Sequence, residues 1–180
     1  AGEVPGRRAD QSQITDAGVG ADTVNAHAGT STVTVTDSGA VEINVDGTAA
    51  VSVAVDTQSG ANATIAIHAT GDEVVTVVGA DGNDAIDATD STQAVLIDGG
   101  AGANTLTGGD GNDTFVLQTM HTNNLLGGAG DDRFTINAAL TGTVDGENDT
   151  VGDTLDGSQI DNVVITGSAP GNEYSGNEPS

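Results

Sequence analysis

Four short segments of the sequence combine glycine and aspartate at a spacing that could bind a metal ion. Residues 79–87, 99–107, 108–116 and 127–135 follow the frame G-G-x-G-x-D-x-U-x with single substitutions, where U is a large apolar residue. Glycines at positions one, two and four allow a tight turn that aims carbonyl oxygens inward, and position six adds a carboxylate. Calcium takes about six to eight oxygen ligands. One turn is too short to supply them, so the pattern predicts calcium held between stacked turns.

The copies differ in the carboxylate that they offer. Position six is aspartate in three copies: Asp84, Asp113 and Asp132. In the copy at 99–107 it is Asn104, which removes one charge and predicts a weaker site. The segment 117–126 has lost the pattern, and we expect no ion there. The later turn 145–150 is degenerate, but it still offers three polar side chains: Asp145, Asn148 and Asp149.

These repeats resemble the calcium-binding nonapeptide repeats of the RTX (repeats-in-toxin) family over about residues 79–151. The resemblance implies an all-β fold, a right-handed parallel β-roll or β-solenoid, in which each nonapeptide forms half a coil. Turns on the same side would then lie about eighteen residues apart. This spacing places two turns on one side, with one weaker ion: 79–84 and 99–104. It places three on the other side, with two ions: 108–113, 127–132 and 145–150.

The resemblance also implies about two to four bound calcium ions and a set of ligands. In the first two copies the candidate ligands are Gly79, Asp81, Gly82, Asp84, Gly99, Gly100, Gly102 and Asn104. In the later turns they are Gly108, Gly109, Asp110, Gly111, Asp113, Gly127, Gly128, Gly130, Asp132, Asp145, Asn148 and Asp149. Phe115 and Phe134 occupy position eight of same-side copies, so we expect them to stack on each other inside the roll.

Short strands must position these turns. Between residues 30 and 78 apolar and polar residues alternate in runs such as TVTVT, VEINV and VSVAV, and each run ends at a turn signal such as DSG or DG. A period of two predicts β-strands, and no stretch has a helical period. From Gly79 onward the predicted strands become shorter. Antiparallel hairpins stay an alternative for 30–78, because TDSGA could close a short hairpin.

The patterns divide the chain into five parts. Residues 1–16 are predicted to be a flexible tail or cap, and residues 17–78 to form solenoid coils with longer strands. The RTX-type calcium-binding β-roll covers 79–151, a capping strand covers 152–167, and a flexible tail covers 168–180. Four aspartates that close strands outside the glycine frame are interpreted as ordinary turn residues: Asp37, Asp46, Asp56 and Asp72.

The charge of the chain excludes several classes of partner. Its 180 residues include 27 acidic and three basic side chains, for a formal net charge of −24. Such a chain repels nucleic acid and anionic membrane surfaces. No run approaches the roughly 20 apolar residues that cross a bilayer, so we expect no direct membrane insertion. The sequence has no cysteine, which excludes disulfides and thiolate metal sites. Adaptation to high salt is a rival explanation of the acidity.

The function that these patterns predict is structural. We expect a calcium-binding module of a secreted or cell-surface bacterial protein of the adhesin, S-layer or toxin type, exported by type I secretion and folding in external calcium. Its partners would be calcium and other domains of a larger polypeptide. Alternatives are an accessory module of an extracellular lipase, protease or polysaccharide epimerase or lyase, and, less favoured, an ice-binding solenoid. We expect no enzyme activity, because the sequence lacks the catalytic motifs of hydrolases and nucleotide-binding proteins.

Overall fold

The computed structural model describes residues 13–16, 21–35, 40–55, 62–71, 74–79, 81–119, 121–147 and 152–157. Within these ranges every regular element is a β-strand, and all the strands belong to one sheet. The strands are β1 (Gln13–Asp16), β2 (Asp22–Val35), β3 (Ala40–Val55), β4 (Thr64–Ala69), β5 (Val75–Val78), β6 (Ala85–Asp87), β7 (Val95–Asp98), β8 (Thr105–Thr107), β9 (Thr114–Leu117), β10 (Asn124–Gly128), β11 (Arg133–Ile136), β12 (Thr143–Glu147) and β13 (Thr154–Asp156).

The strands form two stacks that meet at β3, which is 16 residues long. Residues 40–45 of β3 pair with β4, and residues 51–54 pair with β5. From there the first stack continues through β6, β8, β10 and β12, and the second through β7, β9, β11 and β13. Each coil therefore gives one strand to each stack, and the coils pile up as a β-solenoid of about five turns.

Every pairing in the sheet is parallel, including the pairing of β2 along most of β3. The predicted all-β parallel solenoid is confirmed, and the hairpin alternative for 30–78 is wrong. A coil places each strand segment beside the equivalent segment about one turn later, so the paired segments run in the same direction. Residues 13–16, predicted to belong to a tail or cap, form β1 and pair with β2. Residues 1–12 and the predicted tail at 168–180 lie outside the described ranges.

Alternate residues of the strands build one continuous apolar core. In the first stack the core column runs through Val41, Ile65, Ile86, Leu106 and Leu125. In the second it runs through Val77, Ile97, Phe115, Phe134 and Leu155. The two phenylalanines stack with ring centroids 4.9 Å apart and ring planes 10° apart. The predicted stacking of Phe115 on Phe134 is confirmed, so position eight of the repeat is a core position.

Candidate metal centre

The turns that lead into the strands are also stacked, in two columns. The first turn column leads into the first stack and contains residues 81–84, 99–104 and 121–123. The second turn column leads into the second stack and contains residues 88–94, 108–113 and 127–132, with Asp153 at its end before β13. The side assignment predicted for the four glycine-rich copies therefore agrees with the strand register. Equivalent residues lie 18 to 21 positions apart along the chain.

Glycine is required where one turn lies directly on the next. Gly102 and Gly130, both at position four, have φ angles of 104° and 113°, a left-handed region that side chains other than glycine rarely adopt. A Cβ at Gly130 would lie 2.5 Å from the carbonyl oxygen of Gly111, one coil earlier. A Cβ at Gly102 would collide with the carbonyl oxygen of Gly82 in the same way. The glycines thus allow close contact between the backbones of successive turns.

Position six carries a ladder of buried polar side chains in each turn column. In the second column the backbone N–H of Asp113 donates to Oδ1 of Asp132 at 2.8 Å, and that of Asp132 donates to Oδ1 of Asp153 at 2.9 Å. Oδ1 of Asp113 accepts in turn from the backbone N–H of Val95 at 2.7 Å. The three aspartates are no more than 2% exposed. Each carboxylate is therefore held between two coils rather than in solvent.

The first column carries the corresponding ladder with fewer charges. The backbone N–H of Ala63 donates to Oδ1 of Asp84, and that of Asp84 donates to Oδ1 of Asn104, both at 2.8 Å. The backbone N–H of Asn104 donates to Oδ1 of Asn123 at 2.9 Å. Asp84, Asn104 and Asn123 are as buried as the aspartates of the second column. One ladder therefore buries one carboxylate, and the other buries three.

Carboxylate and carbonyl oxygens of neighbouring turns converge beside the position-one glycines. In the second column, a Cβ added at Gly108 would contact both Oδ2 of Asp113 and the carbonyl oxygen of Gly127. The corresponding place at Gly127 touches Oδ2 of Asp132 and lies 3.0 Å from the carbonyl oxygen of Gly146. Both members of each pair are acceptors, so a cation between the turns would be attracted by both. The second column thus contains two equivalent oxygen pairs.

A third pair of this kind lies in the first column. The place where a Cβ of Gly79 would lie is 2.5 Å from the carbonyl oxygen of Gly99 and 3.0 Å from Oδ2 of Asp84. Here the carbonyl oxygen of Gly99 also accepts a hydrogen bond of 2.8 Å from the side-chain amide of Asn104. A cation at this pair would compete with that amide. This agrees with the expectation from the sequence that the Asn104 copy offers the weaker site.

Burial makes the carboxylates costly when no cation is bound. Desolvation raises the pKa of Asp113 to about 6, and the backbone hydrogen bonds from Gly109 and Val95 oppose that rise. The hydrogen bond from Gly109 reaches Oδ2 at 2.7 Å. Charge burial is unfavourable unless an opposite charge compensates for it. A bound cation would supply that charge.

The aspartates at position three face outward. Asp81 and Asp110 are exposed, so their carboxylates are not buried between coils as those of position six are. Around Gly108 and Gly109 the surface opens into a cavity of about 350 Å³, which Asp110 and Glu147 also line. Solvent and ions therefore reach the second turn column from this side.

The register predicted for the last turn needs correction. Asp145 lies within β12 and is exposed, so it is not the residue that follows Asp132 in the ladder. That residue is Asp153, which accepts from the backbone N–H of Asp132 and follows it by 21 residues rather than by about eighteen. Asn148 and Asp149, the other two ligands predicted there, lie outside the described residues.

Two ladder residues were therefore missed by reasoning from the sequence: Asn123 and Asp153. Both lack glycine at positions one, two and four of the frame, the positions that identify the other copies. Both keep the end of the frame, since Leu125 and Leu155 stand two residues later at position eight. A search for Asp or Asn two residues before a core apolar residue would have found them. The segment 117–126, which was expected to have lost the pattern, thus supplies a ladder residue and the first part of β10.

The donor set fits calcium, although no carboxylate cluster is preformed. In the part of the chain that the structure describes, no three histidine, aspartate or glutamate side chains lie close enough together to hold a metal ion. A cation between two turns would therefore take one carboxylate and complete its shell with backbone carbonyls and water. Calcium accepts such all-oxygen, irregular shells, whereas softer metals prefer nitrogen or sulfur ligands. The oxygen pairs beside Gly108 and Gly127 are where it would bind.

Comparison with known proteins supports the same ion. Residues 95–117 match the family model of the RTX calcium-binding nonapeptide repeat (4 copies). No curated protein and no solved structure gave a match. The predicted resemblance is confirmed for this segment, which contains the turns 99–104 and 108–113. The chain therefore carries RTX calcium-binding repeats on a β-solenoid, and these repeats support a calcium-binding module.

Proposed function

We propose that the chain is a structural module of a secreted or cell-surface protein, and that it folds fully only when calcium binds outside the cell. The parent protein would be of the adhesin, S-layer or toxin type, and the module would join other domains of a larger polypeptide. In this proposal the module has no enzyme activity. Calcium acts as a structural element that joins one coil to the next.

One observation carries the proposal. Between the turns 108–113 and 127–132, Oδ2 of Asp113 and the carbonyl oxygen of Gly127 converge beside Gly108, and Asp113 is only 1% exposed. Backbone N–H groups of Gly109 and Val95 hold this carboxylate in place, but they supply no positive charge that compensates for its burial. A divalent cation would turn this unfavourable approach into a bond between the coils.

The charge of the chain couples calcium to folding. A net charge of −24 opposes compaction through self-repulsion, and ordering the glycine-rich turns costs backbone entropy. Calcium binding supplies free energy only to the folded turns, because the unfolded chain does not bring the carbonyl and carboxylate oxygens together. The module would therefore stay extended where calcium is scarce and fold where calcium is abundant.

This coupling is the reason to propose a location outside the cell. RTX repeats are typical of secreted proteins, and extracellular fluid contains far more free calcium than cytoplasm does. The ranges that the structure describes contain no helix with the length and apolarity of a membrane span. A chain that remains unfolded before export suits type I secretion, which we propose as the route.

The experiment is a calcium titration of the whole chain, followed by circular dichroism and by calorimetry. We expect β-strand signal to increase on adding calcium, to be lost with a chelator, and not to return with magnesium at the same concentration. The variant Asp113→Asn should bind fewer calcium ions. The matched control Asp131→Asn removes an exposed carboxylate of the neighbouring turn and should bind as many as the wild type. Identical spectra with and without calcium, or no heat of binding, would contradict the proposal.

A further inference from the structure

The two turn columns differ in the chemistry of one atom at position six. An ionised carboxylate only accepts hydrogen bonds, whereas a side-chain amide accepts through oxygen and donates through nitrogen. Asn104 uses both functions. Its Oδ1 accepts from the backbone N–H of Asp84, and its Nδ2 donates to the carbonyl oxygen of Gly99.

The amide of Asn104 therefore lies where a cation would be needed in the other column. Beside Gly108 the carbonyl oxygen of Gly127 faces Oδ2 of Asp113, so an acceptor faces an acceptor. A Cβ added at Gly99 would instead lie nearest to Nδ2 of Asn104, at a distance of 2.9 Å. In the first column this donor binds the carbonyl oxygen of Gly99, which is one of the two acceptors beside Gly79, so the contact is attractive without a metal ion.

The next position-six residue of the first column, Asn123, is neutral as well. Asn104 donates its backbone N–H to Oδ1 of Asn123, and Nδ2 of Asn123 lies 3.4 Å from the carbonyl oxygen of His121. Asn123 is 1% exposed, so its amide is a buried part of the ladder and not a surface side chain. From Asp84 to Asn123 this column therefore buries one carboxylate.

We infer that Asn104 and Asn123 replace the metal ion in the first turn column, so that calcium controls only the second. This inference rests on the proposed calcium-dependent folding, and it limits the dependence on calcium to the second turn column. When calcium is removed, the second column opens at its three stacked carboxylates. The first column stays closed through its amides and holds β6, β8 and β10 in register. The solenoid would then loosen along one side and keep its coils aligned for renewed binding.

Matched amide protons in the two columns allow a direct test. The backbone N–H groups of Asp84 and Asn104 donate to side-chain amide oxygens over 2.8 and 2.9 Å. Those of Asp113 and Asp132 donate to carboxylate oxygens over 2.8 and 2.9 Å. Their hydrogen exchange is measured by NMR on the full chain, in calcium and in chelator. We expect chelation to reduce the protection of the second pair at least about tenfold more than that of the first pair.

The outcomes separate this inference from the proposed function. If the wild type binds no calcium and no amide responds, the proposed function fails. If calcium binds and all four amides lose protection by the same factor, this inference fails and the proposed function stands. Greater loss at Asp84 and Asn104 than at Asp113 and Asp132 would also overturn the inference.

A gain-of-site variant gives a second, independent test. Asn104→Asp removes the amide donor to the carbonyl oxygen of Gly99 and so leaves the acceptor pair beside Gly79 open to a cation. This variant should bind one more calcium ion than the wild type and should make the Asp84 amide sensitive to chelator. The control Thr105→Asp adds the same charge at the adjacent exposed position and should bind no extra ion. Calorimetry in saturating calcium counts the ions, so a loss of structure in chelator does not prevent the count. Equal stoichiometry of the two variants would overturn the inference.

Discussion

The early coils and the late coils of the solenoid place different residues in the same column. In the second stack, position six is occupied first by Val51, Val75 and Val95 and then by Asp113, Asp132 and Asp153. All six side chains are no more than 2% exposed. The backbone register continues across the change from valine to aspartate. The same buried site is therefore apolar in one half of the molecule and charged in the other.

The difference shows two ways of joining one coil to the next. In the early coils a buried valine contributes about 1.5–3 kcal/mol by leaving water, and no ion is needed. In the late coils the strands are three to five residues long and a carboxylate takes the place of that valine. A buried carboxylate stabilises only when an opposite charge is present. The apolar core alone can therefore stabilise the early coils, whereas the late coils also need a bound cation.

Calcium removal should produce the largest difference in stability between the early coils and the late coils. Each ion that is lost removes about 2.7 kcal/mol when free calcium is a hundred times its dissociation constant, and the second turn column offers two oxygen pairs. We expect hydrogen exchange in chelator to expose residues 114–117 and 133–136 while 41–45 and 65–69 remain protected. Potassium chloride at the ionic strength of the calcium buffer is the control, because screening alone should not restore the late strands. Earlier loss of protection in 41–45 than in 114–117 would refute the comparison.

The next largest effect should come from the core of the late coils. Phe115→Ala removes a fully buried ring that stacks on Phe134, so it should lower the free energy of unfolding by about 3–5 kcal/mol. Val77→Ala, one column member in an early coil, removes less apolar volume and should cost less. Urea denaturation in saturating calcium measures both. If Phe115→Ala costs no more than Thr105→Ala at an exposed position, the late coils do not depend on their core.

Substitutions of two neighbouring aspartates in one turn should lower the free energy of unfolding by amounts that differ by about the contribution of one calcium ion. Asp132→Asn removes a buried carboxylate beside the carbonyl oxygen of Gly146, and in saturating calcium it should cost about 2.7 kcal/mol. Asp131→Asn removes an exposed one and should change stability by less than about 0.5 kcal/mol. In chelator the cost of Asp132→Asn should disappear, since a neutral amide avoids charge burial. A cost that persists in chelator would mean that Asp132 acts through its hydrogen bonds and not through calcium.

Much of this comparison could be predicted from the sequence. The period of two predicts the strands because each strand buries alternate residues, and the repeated glycine-aspartate frame predicts the two turn columns and the phenylalanine stack. The frame works where glycine is kept, because glycine marks the close approach of two turns. The frame did not identify Asn123 and Asp153, since the residues before them have no glycine at positions one, two and four.

The change from valine to aspartate could not be predicted in the same way. Val95 and Asp113 are equivalent only because the strands pair in a particular register, and that register depends on contacts between residues about one coil apart. Turn lengths vary between coils, so counting a fixed repeat accumulates errors. Asp153 is the clearest case, because it follows Asp132 by 21 residues and therefore lies beyond the predicted segment 145–150.

The smallest effect should come from the ion pair on the outer face of the late coils. Arg133 donates to Oδ2 of Asp156 at 2.8 Å, and both side chains are more than half exposed. Exposed pairs contribute about 0.2–1 kcal/mol, so Arg133→Ala should cost less than 1 kcal/mol by urea denaturation in calcium. High salt should reduce that cost further.

The variant Asp156→Ala supplies the control for this pair, and the double variant supplies the coupling energy. If Arg133 stabilises only through Asp156, the double variant should cost no more than either single one. Arg133 is also the only arginine in the described part of the chain, and it directly follows Asp132 in sequence. A cost well above 1 kcal/mol that survives in the Asp156→Ala background and grows in chelator would show that arginine compensates for the buried carboxylates when calcium is absent. The late coils would then have a second source of positive charge, and their dependence on calcium would be weaker than the exchange of valine for aspartate implies.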